Sequence, residues 1–210
     1  MKAQAMKQTL RQSIIAARLK LAASEHIEFS RTISKYIMLL DVYKRAKVVL
    51  GYMSFGAEFS TTPWIQQAMQ DGKQVLLPKV NTSSKQLDIY QVKDLQQDLQ
   101  ADAWDIPEPL PERCAKVEAL ADIDFILLPG VAFARDGSRL GYGGGFYDKL
   151  LERIACADGS SAGKPALVAA AFSMQLVGEI PQEPTDRKVE WLLTENEVID
   201  CTTERIHSSD

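Results

Sequence analysis

The residues best placed to do chemistry lie together in the run Arg139-Leu140-Gly141-Tyr142-Gly143-Gly144-Gly145-Phe146-Tyr147-Asp148. Gly141, Gly143, Gly144 and Gly145 remove side chains just before an apolar segment of helical spacing, so backbone N–H groups there can approach a ligand closely. Such a turn suits phosphate, because the N–H groups and the helix dipole both favour negative charge. Arg139 stands just ahead of the turn and can make paired hydrogen bonds to phosphate oxygens. Asp148 falls in the first helical turn, where it can cap the helix or face a metal ion held by phosphates. A tight strand-to-helix connection, with Asp148 as an ordinary helix-start residue, would use the same residues. Generic nucleotide motifs do not decide the matter. There is no GxxxxGK[ST], and Phe146 occupies the last position of a dinucleotide fingerprint.

These residues need elements to hold them. The apolar run Phe125 to Leu128 is short enough for a buried strand and is stopped by Pro129-Gly130, while Phe146 to about Ile154 has helical periodicity. Upstream, Ala46 to Tyr52 reads as a buried strand followed by the loop Met53 to Phe59. Thr61 or Thr62 can cap the next helix, Pro63 fits its first turn and Gly72 its end, and Gln74 to Leu77 forms another strand closed by Pro78. Alternating strand and helix predict right-handed crossovers between parallel strands. The expected fold is α/β, a single open and mostly parallel sheet flanked by helices in three Rossmann-like layers, forming one domain over residues 1–210. In such sheets ligands bind beyond the carboxyl ends of strands. Glu58 follows one such end and Gly141 to Gly145 another. Taken alone, Glu58 reads as a solvated loop carboxylate.

Residues 2–21 are expected to form an amphipathic helix with Met6, Leu10, Ile14, Ala17 and Leu21 as its apolar seam, bordered by a stripe of Lys7, Arg11 and Arg18. The first 24 residues carry five basic residues and no acid, which leaves three readings open: a solvated face, an organelle transit peptide, or a phosphate-binding arm. A second helix is expected over 25–44, with Phe29, Ile33, Ile37 and Leu40 on its core side. Leu87 to Val92 alternates as an edge strand does, and Trp104 to Pro111, with three prolines, reads as an extended connector. Asp158 to Pro165 is expected as a flexible loop, Ala166 to Phe172 and Trp191 to Leu193 as strands, and 203–210 as a disordered tail.

Apolar residues make up 46% of the 210, enough for a substantial core, and the net charge of −4 argues against a nucleic-acid or anionic-membrane partner. No apolar run reaches the length of a membrane span, and no signal peptide is visible. Three widely spaced cysteines without CxxC suit reduced thiols in a cytoplasm. With only His26 and His207, a histidine-based triad or metal centre is improbable. A cytoplasmic monomer acting on small molecules is the expectation.

Pro129-Gly130-Val131-Ala132-Phe133, followed by Gly137-Ser138-Arg139 and the run through Asp148, resembles the signature of the 5-formyltetrahydrofolate cyclo-ligase family, also called 5,10-methenyltetrahydrofolate synthetase. Three further pieces stand in family order. Lys7-Gln8-Thr9-Leu10-Arg11 is similar to a Lys-x-x-x-Arg element that contributes to ATP binding, which weighs against the transit-peptide reading. Met53 to Glu58 resembles a folate-contacting loop, and Ile106-Pro107-Glu108-Pro109 a Glu-Pro turn. The resemblance implies an ATP site made of Lys7, Gln8, Thr9, Leu10, Arg11, Arg139, Leu140, Gly141, Tyr142, Gly143, Gly144, Gly145, Phe146 and Tyr147. It implies folate contacts from Met53, Glu58, Tyr142, Gly143, Gly144, Gly145 and Phe146, a catalytic role for Arg139, and Mg²⁺ held by Asp148 and Asp186.

Some relatives carry Arg and Lys where this chain has Tyr142 and Gly144, so Arg139 and Lys7 are expected to make up the charge. Relatives often have His where Thr185 stands, so no histidine is assigned a role. The implied reaction is ATP- and Mg²⁺-dependent closure of 5-formyltetrahydrofolate to 5,10-methenyltetrahydrofolate, releasing ADP and phosphate. Phe55, with Met53, Tyr142 and Phe146, can supply stacking surface for its rings. The competing readings are a sugar-phosphate isomerase or CoA-transferase-like enzyme of similar architecture, and a non-catalytic nucleotide or folate sensor.

Overall fold

The computed structural model describes residues 2–101, 106–157, 163–183 and 186–203. Trp104 and Asp105 of the expected connector, most of the expected loop after Asp158, Thr185, and 204–210 of the expected tail lie outside the described residues. The chain opens with α1 (Lys2–Arg18), α2 (Ala23–Leu39) and α3 (Asp41–Arg45). The single helix expected over 25–44 is broken at Leu40, whose backbone is extended with ψ 132°. That turn lets Leu40 and Tyr43 enter the same core.

Strand β1 (Val48–Leu50) leads through a loop into α4 (Thr62–Gln70) and back to β2 (Gln74–Asn81). Thr61 is the N-cap residue of α4 and Pro63 lies in its first turn. Gly72, at φ +74°, ends it as a left-handed residue. Pro78 does not close β2 but sits inside it. The parallel pairing with β1 ends at Leu76, so one flank of β2 is without a strand from there on and tolerates a missing N–H. β2 turns into the antiparallel β3 (Gln86–Val92). Two of the three prolines of the expected connector, Pro107 and Pro109, are also strand residues, because β4 (Leu99–Ala101) pairs with β5 (Pro107–Pro109) in a separate hairpin.

The edge strand β6 (Ala115–Lys116) covers β3, so β3 lies second from the edge. Next come β7 (Phe125–Leu128) and a small hairpin of β8 (Ala132–Phe133) and β9 (Arg139–Leu140) inside what the sequence presents as loop. Helix α5 (Phe146–Cys156), β10 (Ala166–Ala170), β11 (Trp191–Leu193) and β12 (Val198–Asp200) complete the described chain. β12 has no forecast in the sequence reading. The eight-stranded sheet runs β12-β11-β10-β7-β1-β2-β3-β6. Its four middle pairings are parallel and its margins antiparallel.

Side-chain alternation sorts the core into two layers. Val49, Phe125, Leu127 and Val168 meet Ile33, Ile37, Tyr43, Trp64 and Ile65 from α2, α3 and α4. Leu50, Ile126, Leu128 and Ala169 meet Leu150, Leu151 and Ile154 of α5. Helix α1 stays off both faces, and its Ile14 packs on Val131, Ala132 and Leu140 of the β8–β9 hairpin. The crossover from β1 steps to β2 on one side and the crossover from β7 steps to β10 on the other. The connections therefore diverge between β1 and β7, the place where open α/β sheets leave a crevice.

Gly130 keeps the end of β7 close to that hairpin. A Cβ there would lie 2.5 Å from Phe133 Cζ and 3.1 Å from Arg139 Cγ. Phe133 is fully buried and cannot swing clear. Gly130→Ala should therefore cost about 1–3 kcal/mol of stability through overpacking. An unchanged denaturant midpoint would show that the hairpin yields instead.

Candidate functional site

A cleft of about 890 Å³ opens at this divergence. Tyr52 and Met53, just past β1, and Pro129, just past β7, line it together with Arg139 through Asp148. One end of the cleft is charged. The basic stripe of α1 does not border a seam: it is the inward face of the helix. Lys7, Ile14 and Arg18 are buried whereas Met6 is 58% exposed, which corrects the expected seam. Lys7 and Arg11 line the cleft and Leu10 packs against the Ile14 cluster. Gln8 and Thr9, about 100° and 200° round the helix from Lys7, are exposed and do not line the cleft. The hydroxyl of Thr9 donates back to the Ala5 carbonyl at 3.1 Å. The Lys-x-x-x-Arg spacing places its two ends in the cleft and its middle outside.

Lys7, Arg139 and Arg11 each have an anionic or carbonyl partner at this end. Lys7 Nζ donates to Glu183 Oε1 at 3.1 Å and Asp186 Oδ2 at 3.3 Å. Arg139 Nη2 donates to Asp148 Oδ1 at 2.7 Å, and its Nη1 to the Pro129 carbonyl at 3.3 Å. Arg11 Nε donates to the Gly141 carbonyl at 2.7 Å, tying α1 to the glycine turn. Arg139 Nε is buried without a partner among the described residues. The turn remains open: Gly143 at φ +104° and Gly145 at φ +65° hold left-handed backbone, and 143–145 are exposed. Gly145 is the N-cap of α5 and offers no side-chain cap, so the first N–H groups of the helix are left for a ligand.

Asp148 and Asp186 are both brought to the cleft, although 38 residues of sequence separate them. Asp148 Oδ1 accepts from Arg139, and Asp186 Oδ2 accepts from Lys7 and from the Glu183 N–H. The donor chemistry suits Mg²⁺, which commonly takes one or two carboxylates with phosphate oxygens and waters. No group of three or more metal-ligating His, Cys, Asp or Glu side chains gathers among the described residues.

The other end is apolar and aromatic. Met53, Phe55, Tyr142 and Phe146 line it, and the Phe55 and Tyr142 rings lie 5.2 Å apart at 45°. Glu58 lies among them and is only 4% exposed, which overturns its reading as a solvated carboxylate. Its Oε2 accepts the Phe55 N–H at 3.1 Å and its Oε1 the Tyr142 hydroxyl at 2.5 Å. Tyr142 in turn accepts from Arg18 Nη2 at 2.8 Å. Burial pushes the Glu58 carboxyl above its usual range, and the Tyr142 bond, the Phe55 N–H and the charge of Arg18 oppose that rise. Burial and the nearby Glu58 push the Tyr52, Tyr142 and Tyr147 phenols up, so all three stay neutral donors at physiological pH. His26 Nε2 donates to the Glu58 carbonyl at 2.6 Å and so steadies the loop.

Three contributors were not picked out from the sequence. Arg18 was visible only as part of a stripe, yet Lys7, Arg11 and Arg18 at steps of four and seven share one helix face. Glu183 carried no signal before its contact with Lys7 was known. Glu108 of the Glu-Pro turn accepts Lys79 Nζ and the Val80 N–H, both at 3.0 Å, and so satisfies the bare flank of β2 beside the cleft.

Comparison with known proteins agrees with this fold. A model described as the 5-formyltetrahydrofolate cyclo-ligase family matches residues 3–195. The chain is 30% identical over 180 residues to the 5-formyltetrahydrofolate cyclo-ligase of Mus musculus, covering 84% of this chain and 87% of that protein. It is 32% identical over 183 residues to a probable 5-formyltetrahydrofolate cyclo-ligase of Schizosaccharomyces pombe, covering 84% and 89%. The solved structure of 5,10-methenyltetrahydrofolate synthetase from Aquifex aeolicus superposes with a TM-score of 0.78 at 31% identity, over 93% of each chain.

The ion pairs make a signed prediction. Asp148 occupies the guanidinium that a phosphate would need, so Asp148→Asn should strengthen binding of inorganic tripolyphosphate in EDTA roughly tenfold, the worth of a charged hydrogen bond. Isothermal titration would measure it. Equal or weaker binding would mean that Asp148 does not hold Arg139 back.

Proposed function

The chain belongs to the 5-formyltetrahydrofolate cyclo-ligase family, and on that premise we propose that its cleft couples ATP to the closure of 5-formyltetrahydrofolate into 5,10-methenyltetrahydrofolate. The observation that carries the proposal is the juxtaposition in one cleft of an anion-binding end, made of Arg139, Lys7, Arg11 and the glycine turn, with an aromatic end closed by buried Glu58. Triphosphate occupies the first and the reduced pterin the second. Glu58 keeps lone pairs beyond those used by Phe55 and Tyr142, so it can still accept N–H donors from the pterin edge.

The chemistry needs activation because a formyl amide oxygen leaves poorly. In the proposed reaction the formyl oxygen attacks the γ-phosphorus of ATP and the bond from that phosphorus to ADP breaks. N10 then attacks the activated carbon of the phosphorylated iminium, a C–N bond forms and N10 loses its proton. The C–O bond breaks last, releasing phosphate and leaving the methenyl bridge. Phosphoryl transfer of this kind rests on positioning and charge neutralisation. Arg139, anchored at the Pro129 carbonyl, is placed to accompany the transferring phosphoryl group once Asp148 releases it, and the free N–H groups of α5 add partial positive charge. When bound by Asp148 and Asp186, Mg²⁺ would neutralise phosphate charge. No histidine is required, and His26 is already engaged by the Glu58 carbonyl.

Purified protein given 5-formyltetrahydrofolate, ATP and Mg²⁺ should produce methenyl-folate absorbance that disappears when any component is omitted. Arg139→Ala should lower turnover about 10²-fold, as loss of one transition-state charge partner does. Product formed without ATP, or near-normal turnover in the variant, would contradict the proposal.

A further inference from the structure

Arg18 lies outside the residues that line the cleft, yet it is 4% exposed and carries a charge whose Nε has no partner among the described residues. Burying a guanidinium is costly unless it is well partnered. Its Nη2 donates to a phenol oxygen, Tyr142 Oη, at 2.8 Å, and that phenol donates onward to Glu58 Oε1 at 2.5 Å. The three groups come from α1, from the glycine turn and from the loop after β1, so the relay joins three segments that share no strand pairing.

We infer that Arg18 and Tyr142 are positioning residues for the folate half of the cleft: Arg18 fixes the Tyr142 phenol, and the phenol holds the Glu58 carboxylate ionised and aimed at the incoming ring system. The inference rests on the folate reading of this end. The physical reason lies in the surroundings of Glu58. Tyr52, Tyr142 and Tyr147 face it as neutral phenols, His26 reaches only its backbone carbonyl, and Arg18 is the cation whose field favours its charge. Burial already raises the carboxyl, and without Arg18 one of the influences opposing that rise is lost, so the carboxylate protonates more readily. Without the phenol, Arg18 and Glu58 each lose a short hydrogen bond. The aromatic ring itself remains against Phe55 in Tyr142→Phe, so that variant removes one oxygen and little packing.

The test is equilibrium binding of 5-formyltetrahydrofolate, measured by titration calorimetry between pH 5 and 9 for the wild type, Tyr142→Phe, Arg18→Met and Arg18→Lys, with ATP as the control ligand. Binding requires the carboxylate, so a higher Glu58 pKa moves the acidic loss of affinity to higher pH. Arg18→Met should move that limb to higher pH, and Arg18→Lys, which keeps the charge, should restore most of the wild-type position. Tyr142→Phe should weaken folate binding about tenfold and ATP binding by a smaller factor, since the hydroxyl it removes is bonded to Glu58. Should Arg18→Met fail to fold, Tyr142→Phe carries the test alone. Limbs that coincide with the wild type, or equal losses for folate and ATP, would overturn the inference while leaving the folate reading intact. A wild type that binds ATP but no folate would overturn both.

Discussion

The structure is governed by the need to partner positive charge where water is scarce. Lys7, Arg18 and Arg139 are each less than a tenth exposed, and unpaired cations at such depth are costly. Their partners fix the arrangement of the cleft. Lys7 draws the segment around Glu183 and Asp186 to α1, Arg139 joins β9 to α5 through Asp148, and Arg18 reaches Glu58 through Tyr142. These buried cations are thus partnered from within the protein.

Such pairing needs a rigid frame. Parallel strands β1 and β7 lie side by side with every described core side chain between them and the helices buried, and their carboxyl ends meet where the crossovers diverge. Because the glycine turn follows one strand and the Glu58 loop follows the other, the two ends of an elongated substrate pair are addressed from adjacent strands. Helix α1 closes the side of the cleft by resting on the β8–β9 hairpin. It joins the site as a wall, which is why its basic face points inward.

Local physics made much of this readable. Apolar runs located β1, β7 and β10, that of β7 stopped by Pro129-Gly130, and Pro63 and Gly72 bounded α4, whereas the Thr61 hydroxyl accepts the Ser54 N–H instead of capping it. The glycine turn, Arg139 and Asp148 were legible because they are contiguous. Contacts set by tertiary structure were not. Helix periodicity put Met6 on the seam and Lys7 beside it, because a rule that buries apolar residues cannot foresee a buried ammonium held by Glu183 and Asp186. Glu58 looked solvated for the same reason. Pro78 and the prolines of β5 looked like breakers because tolerance of a missing N–H depends on which strand flank is bare. Resemblance supplied Asp186, which no spacing rule could have linked to Asp148.

On the proposed mechanism, the cleft activates the formyl oxygen by phosphoryl transfer before the ring closes. Substrate labelled with ¹⁸O in the formyl group tests it most directly. One turnover should place the label in the released inorganic phosphate, detectable by mass spectrometry or by the isotope shift in the phosphorus NMR signal. Unlabelled phosphate, with the ¹⁸O appearing in water, would show that the oxygen departs without ever bonding to phosphorus and would contradict the account.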